Sequence, residues 1–171
     1  KKFKFYDVIP LYVDNTAFVV DTIRRHHREI GLDRVALCLS MHPQGTPATV
    51  QAGIKLAAYR KIREALANES DLDIGILVRS TLGHGWSGSQ QLSDEPWQRI
   101  VTQDGTITSR MCPSDERFRH YVLDIIGELA ATRPAFLLMD DDFDARLGEC
   151  YCPTHLAALS KATGTQFKTA Q

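Results

Sequence analysis

The chain has 171 residues, of which 43% are hydrophobic and 24% are charged, and its formal net charge is −1. This composition is ordinary for a globular domain with a sizeable core, and the near-neutral charge argues against partners that are nucleic acid or an anionic membrane. No apolar run approaches the roughly 18 residues that would span a bilayer, and no signal peptide opens the sequence. We therefore expect a cytoplasmic protein. Because the first residue is Lys1 rather than Met, we also expect a piece of a longer protein.

Strand and helix patterns alternate along the chain. Strand segments are short apolar runs, whereas apolar residues in helix segments recur every three or four positions. The pattern predicts strands over Lys4–Val13, Arg34–Ser40, Leu72–Val78 and Ala135–Met139. It predicts four helices: one capped by Asp14–Thr16 and ended by Gly31, one with the inner face Val50, Ile54, Ala58, Ile62 and Leu66, one over about Asp115–Thr132 capped by Ser114, and one from Pro153 to Gly164.

Four βα units in strict alternation imply a parallel sheet with right-handed crossovers. Two α/β architectures fit: an open doubly wound sheet, and the N-terminal half of a TIM-type (β/α)8 barrel. The first strand is not followed by a glycine-rich phosphate-binding turn, which weakens the nucleotide-binding version of the open sheet. We expect one domain over residues 1–171, with the strands in sequential order. A half-barrel leaves two strand edges and one face uncovered, so the rest of a longer chain or a second copy should cover them.

The segment between the third strand and the third helix is much longer than the other connections. It holds a glycine-rich loop, Gly83–Gly88, and a predicted hairpin over Ile100–Thr108 with Asp104-Gly105 at its turn. Insertions at the carboxyl end of a parallel sheet build binding sites. Trp86 in the glycine-rich loop can stack on the apolar face of a sugar, or it can be ordinary loop packing.

Three adjacent acids, Asp140, Asp141 and Asp142, end the fourth strand. Alternate strand residues point to opposite faces, so Asp140 and Asp142 share a side. Such acids can serve as a general acid or base, accept hydrogen bonds from sugar hydroxyls, or bind a divalent metal. The structural alternative is a helix cap or an ion pair with Arg79 or Arg146.

A compact group of metal-type ligands opens the fourth helix. Cys150, Cys152 and His155 lie within six residues, and a helix N-terminus favours the thiolate form of cysteine. Cys112 precedes the third helix on the same side of the sheet and can supply a fourth ligand for tetrahedral zinc. The alternative is unligated thiols and a surface histidine. Cys38, within an apolar strand, is expected to be a buried small hydrophobe.

Three segments, in order, resemble motifs of family 42 β-galactosidases. Ser109–Ser114, with Arg119 after it, resembles their Arg-x-x-Cys-Pro-Asn/Ser segment. Asp140–Phe143 resembles their Asp-Asn-Glu-Tyr at the end of strand four. Cys150–His155 resembles their Cys-x-Cys-x-x-Cys, which holds a zinc together with the earlier cysteine. The resemblance covers about residues 109–164 and extends weakly to the start of the chain.

The resemblance implies a retaining glycosidase that acts on a small β-linked sugar. By position it makes Asp142 the acid/base, Asp141 the partner of the sugar's 2-hydroxyl and Arg110 a sugar contact, with Asp140 and Trp86 as further substrate-binding candidates. It also implies a structural zinc bound by Cys112, Cys150, Cys152 and His155.

Two departures from the family's pattern matter: Asp141-Asp142 replaces Asn-Glu, and His155 replaces the last cysteine. The first change shortens the acid, whereas tetrahedral zinc accepts the second. The nucleophile would follow a seventh strand, so we expect this piece alone to be inactive. The alternatives are a sugar-binding relative without hydrolysis, and a metal-dependent hydrolase in which Asp140 and Asp142 hold Mg²⁺ or Ca²⁺.

Overall fold

The computed structural model describes residues 5–40, 48–79, 81, 97–140 and 148–168. The elements in chain order are β1 Phe5–Pro10, α1 Thr16–Ile30, β2 Leu32–Ser40, α2 Ala48–Ala65, β3 Asp73–Arg79, β4 Arg99–Val101, β5 Ile107–Met111, α3 Glu116–Ala131, β6 Leu137–Met139 and α4 Pro153–Thr163. These residues form two compact units. The first contains 5–40, 48–79 and 125–140, and the second contains 81, 97–124 and 148–168. None of the helices described is long and apolar enough to cross a membrane.

The first unit is built on a four-stranded parallel sheet in the order β1-β2-β3-β6. The register is continuous across the sheet: Ile9 lies beside Leu37, Leu37 beside Ile76, and Ile76 beside Leu137. The predicted α/β class, the parallel pairing and the sequential order of the four predicted strands are therefore confirmed. The half-barrel stays a proposal.

One face of this sheet carries the core of the first unit. Alternate residues of β2 and β3 are buried on this face, as the period of two in a strand requires. The Tyr59 hydroxyl of α2 donates a hydrogen bond to the Ile74 carbonyl of β3 at 3.2 Å. The buried side chains of this face and of α1 and α2 include Val19, Ile23, Val35, Leu37, Leu39, Tyr59, Ile62, Ile76 and Val78.

The opposite face of the sheet is apolar and half exposed. The register places Val8, Cys38, Leu77 and Leu138 on this face. Val8 is 40% exposed and Leu138 is 38% exposed, and Tyr6 on the same face is 48% exposed. Among the described strands, β1 pairs only with β2, and β6 pairs only with β3. Within the described residues, the sheet thus has two unpaired edges and one half-exposed face.

The inner face of α2 differs from the prediction. Val50 and Ile54 are 49% and 48% exposed, whereas Ala52, Leu56 and Tyr59 are buried. The predicted residues recur at a constant spacing of four, which advances about 40° further than one full turn at each step. A set of five such residues therefore spirals around the helix, and only its last members reach the core.

The second unit contains the predicted hairpin. Strands β4 and β5 are antiparallel, with Val101 beside Ile107. Gly105 adopts a φ of 85° at the turn, where a residue without Cβ is favoured. The Asp104 carboxylate accepts the Thr106 N–H at 3.1 Å and thereby closes the turn. The hairpin ends at Met111, directly before Cys112.

Helix α3 is capped by Asp115 and not by Ser114 as predicted. The Asp115 carboxylate accepts the N–H groups of Arg117 at 2.9 Å and Phe118 at 3.3 Å. It also accepts the N–H of Gln98. Burial acts to raise the pKa of Asp115, but these hydrogen bonds to the ionised form lower it overall. The Ser114 hydroxyl takes no part in this cap.

Candidate metal centre

Four side chains of the second unit converge on one point. Cys112 directly follows β5, Cys150 and Cys152 precede α4, and His155 lies in the first turn of α4. Their ligand atoms all lie within 4.8 Å of one another. The structure therefore brings together the four residues that the sequence predicted as metal ligands, and this arrangement can bind a metal.

The three distances among Cys112, Cys152 and His155 suit a tetrahedral ion. The Sγ atoms of Cys112 and Cys152 are 3.6 Å apart, and His155 Nδ1 lies 3.4 Å from each of them. Zinc with Zn–S bonds of about 2.3 Å and a Zn–N bond of about 2.0 Å requires an S···S edge of about 3.8 Å and an S···N edge of about 3.5 Å. The three observed edges are within a few tenths of an ångström of those values.

Backbone hydrogen bonds hold the two cysteine segments in place. The Cys112 N–H donates to the Gln98 carbonyl at 2.8 Å, and the Tyr151 N–H donates to the Val101 carbonyl at 2.7 Å. Cys152 is the N-cap of α4 and has an extended backbone, and His155 is the third residue of the helix. An N-cap side chain reaches over the first turn toward this third residue, and Cys152 Sγ lies 3.4 Å from His155 Nδ1.

The cluster is largely closed to solvent. Cys112 and Cys152 are 0% exposed and pack with Val101, and the half-buried Cys150 lies against them. Burial raises the pKa of Cys112 to about 12, and the neighbouring thiols add to this, while a hydrogen bond from the Ser114 backbone opposes it. Burial also raises the pKa of Cys150. Without a metal these cysteines therefore favour the protonated thiol. A bound cation reverses this, because its charge stabilises the thiolate form.

The second ring nitrogen of His155 is also engaged. Its Nε2 lies 3.0 Å from the Ser114 Oγ, while its Nδ1 faces the sulfur atoms of Cys112 and Cys152. Sequence reasoning assigned Ser114 to a helix cap and missed this contact. The available signal was Asp115, a stronger cap candidate at the next position.

Arg110, predicted as a sugar contact, forms an ion pair with Glu149. The two side chains are 24% and 23% exposed. Glu149 precedes Cys150, and Arg110 lies two positions before Cys112, so the pair links the two cysteine segments of the metal cluster. No spacing rule connects residues this far apart in sequence, and Glu149 was therefore not predicted.

The carboxyl end of the sheet in the first unit carries a second polar group of residues. The Asp140 N–H donates to the Val78 carbonyl at 2.8 Å, so the chain continues the register of β6 for one more residue. Burial raises the pKa of the Cys38 thiol, a hydrogen bond with Arg79 and the charge of Arg79 oppose this, and the charge of Asp140 adds to it. Cys38 is half-buried on the half-exposed face, not buried as predicted. Asp141, Asp142 and Trp86 lie outside the described residues.

Comparisons of the chain with family models, with curated proteins and with solved structures found no match. The resemblance to family 42 β-galactosidases therefore stays a prediction that depends on three short motifs. The geometry of the metal cluster does not depend on it.

Proposed function

We propose that the chain binds one structural zinc ion through Cys112, Cys150, Cys152 and His155. The observation that carries this proposal is the approach of all four ligand atoms to within 4.8 Å of one another. Four protein ligands leave no open coordination position, which is typical of structural zinc and not of catalytic zinc.

The ligand types favour zinc over the hard cations. Three sulfur atoms and one imidazole nitrogen are soft or borderline ligands, whereas Mg²⁺ and Ca²⁺ take oxygen ligands. The buried position of Cys112 and Cys152 also supports a metal that is held for stability and does not meet substrate.

Elemental analysis of the purified chain tests this proposal. We expect one equivalent of zinc in the unaltered protein and a loss of most of it in Cys152→Ser. Cys38→Ser is the matched control, because Cys38 lies in the other unit, and it should keep its zinc. Less than a tenth of an equivalent in the unaltered protein, after purification without chelator in the presence of zinc, would contradict the proposal.

We also propose that this scaffold is the N-terminal half of a glycosidase-like (β/α)8 barrel. The sequential order of four parallel strands supports it, as do the two unpaired edges and the half-exposed apolar face that includes Tyr6 and Leu138. Either further βα units of a longer chain or a second copy would cover this face. The polar group of Cys38, Arg79 and Asp140 lies at the carboxyl end of the sheet, where α/β barrels bind substrate.

In this second proposal Asp142 is the acid/base and a small β-linked sugar is the substrate. Joined to the rest of a complete gene, the protein should hydrolyse aryl β-galactosides. Asp142→Asn should slow hydrolysis by orders of magnitude for poor leaving groups and by less for activated ones, which need little proton donation.

Sugar binding without turnover would instead favour the non-hydrolytic relative. Loss of activity on chelation, restored by magnesium, would favour the metal-dependent hydrolase. Hydrolysis by the 171-residue piece alone would contradict the half-barrel.

A further inference from the structure

Both ring nitrogens of His155 have a partner, and the two partners differ in kind. Nδ1 faces the sulfur atoms of Cys112 and Cys152 at 3.4 Å, and Nε2 faces the Ser114 hydroxyl at 3.0 Å. A neutral imidazole carries one N–H, and the nitrogen that binds a metal must carry none. Zinc on Nδ1 therefore requires the proton on Nε2.

We propose that Ser114 is a positioning residue of the zinc site. Its Oγ accepts the Nε2–H of His155, and this bond fixes both the tautomer and the ring orientation that direct the Nδ1 lone pair at the ion. The inference rests on the proposed zinc binding. Metal-binding histidines commonly donate their other N–H to an oxygen acceptor, and this second contact tunes the affinity for the metal.

The local backbone presents Ser114 for this role. The Asp115 N–H donates to the Cys112 carbonyl at 3.1 Å, which closes a turn over residues 112–115. Asp115 caps α3 through the N–H groups of Arg117 and Phe118, so the helix does not need the Ser114 hydroxyl. One short turn thus supplies both a ligand, Cys112, and the group that orients another ligand, His155.

A hydroxyl also suits both states of the site. A serine oxygen can accept a hydrogen bond, and its own hydrogen can be donated. With zinc bound, Ser114 accepts from Nε2–H. Without zinc, the other tautomer lets Nδ1–H face the sulfur atoms while Ser114 donates to Nε2. Neither state leaves a ring nitrogen of His155 without a partner.

Zinc affinity, measured by competition with a chromogenic chelator, tests the role of Ser114. Ser114→Ala should weaken zinc binding roughly 10- to 100-fold, as loss of such second contacts does elsewhere, and Ser114→Thr should restore most of it. Thr154→Ala is the matched control, since Thr154 is an exposed hydroxyl residue beside the cluster, and it should bind like the unaltered protein. An affinity of Ser114→Ala within twofold of the unaltered protein would overturn the inference.

The tautomer can be read in the unaltered protein, so the test does not depend on whether a variant folds. Long-range ¹H–¹⁵N spectra of the zinc-loaded chain should show His155 protonated at Nε2 and metal-bound at Nδ1. The Nε2–H signal should persist in the unaltered protein and exchange faster with water in Ser114→Ala. A zinc-loaded His155 bound through Nε2 would overturn the inference while leaving the zinc proposal intact. Failure of the unaltered chain to bind zinc would overturn both.

Discussion

The Sγ atoms of Cys112 and Cys152 lie 3.6 Å apart, although 40 positions separate the two residues in the sequence. Cys112 is placed by the end of a hairpin and Cys152 by the start of a helix. The ligands are therefore positioned by the fold before any ion arrives, and little rearrangement should accompany binding. Most of the metal-binding free energy is then available to stabilise the folded chain.

Removal of the metal should destabilise the protein. A ligand that binds only the folded state, at 100 times its dissociation constant, contributes about 2.7 kcal/mol. We expect the melting temperature of the zinc-loaded chain to fall by several degrees on chelation, as measured by differential scanning calorimetry. Cys38→Ser should show the same fall, and Cys152→Ser should show almost none. An equal effect of chelator on Cys152→Ser would locate the metal elsewhere.

Loss of the Asp115 cap should lower the free energy of unfolding by more than an ordinary surface substitution does. Asp115→Ala removes acceptors for the N–H groups of Gln98, Arg117 and Phe118, and such substitutions cost about 1–2 kcal/mol. Urea unfolding of the metal-free chain measures this. Asp124→Ala, an exposed acid of the same helix, should change stability by less than about 0.5 kcal/mol.

The contribution of Asp115 to the stability of the fold should depend on pH, because the pKa of Asp115 is lowered in the folded chain. The unfolded chain holds the Asp115 proton more tightly than the folded chain does, so this carboxylate stabilises the fold above its ordinary pKa. The contribution should disappear as the pH falls through the lower, folded value. The difference between the unaltered protein and Asp115→Asn should therefore shrink on acidification. A difference that stays constant down to pH 2 would contradict this.

Lys55 should make stability rise with pH in the alkaline range. Its ammonium donates to the Ser40 carbonyl, and burial lowers its pKa from 10.5 to about 8. Between these values the unfolded chain binds a proton that the folded chain lacks, so the free energy of unfolding increases with pH. From pH 8 to pH 10 the unaltered protein should gain roughly 1–2 kcal/mol relative to Lys55→Met, since a pKa difference of one corresponds to about 1.4 kcal/mol.

Lys61→Met is the control for the Lys55 experiment, because Lys61 is an exposed lysine of the same helix. Thiols and phenols also titrate in this range, but their effects are common to all three proteins. Urea unfolding at several pH values should therefore give parallel curves for the unaltered protein and Lys61→Met. Parallel curves for Lys55→Met as well would show that burial does not shift the Lys55 pKa.

Replacing two glycines by alanine, Gly75 and Gly53, should change the stability of the chain in opposite directions. A Cβ at Gly75 would overlap the Phe136 ring, whereas a Cβ at Gly53 would meet no atom within 4 Å. Gly75→Ala should therefore destabilise the sheet by about 1–3 kcal/mol. Gly53→Ala, inside helix α2, should stabilise the chain by up to about 1 kcal/mol. Thermal unfolding of the two variants provides the comparison, and equal melting temperatures would contradict the close packing at Gly75.

The sequence predicted those features that depend on local patterns. Short apolar runs located the four parallel strands, and Asp104-Gly105 located the hairpin. The four metal ligands were predicted because metal-binding residue types cluster at the starts of two helices. The ion pair of Arg110 and Glu149 could not be predicted, since it depends on a tertiary approach that no spacing encodes. The prediction of the inner face of α2 was wrong, because it took a constant spacing of four residues as the helical period.

A metal ion that already binds these ligands in a partly folded chain would also cross-link that chain. An ion bound to Cys112 and Cys150 would close a loop that contains all of α3 and β6. In the chain-entropy treatment of a cross-link, closing a loop of this length lowers the entropy of the denatured ensemble by an amount worth about 4 kcal/mol. Strand β6 must return to β3 after a long excursion of the chain, and such non-local pairing slows folding. Zinc that binds the partly collapsed chain would shorten that search, so refolding should be faster with zinc present than without it.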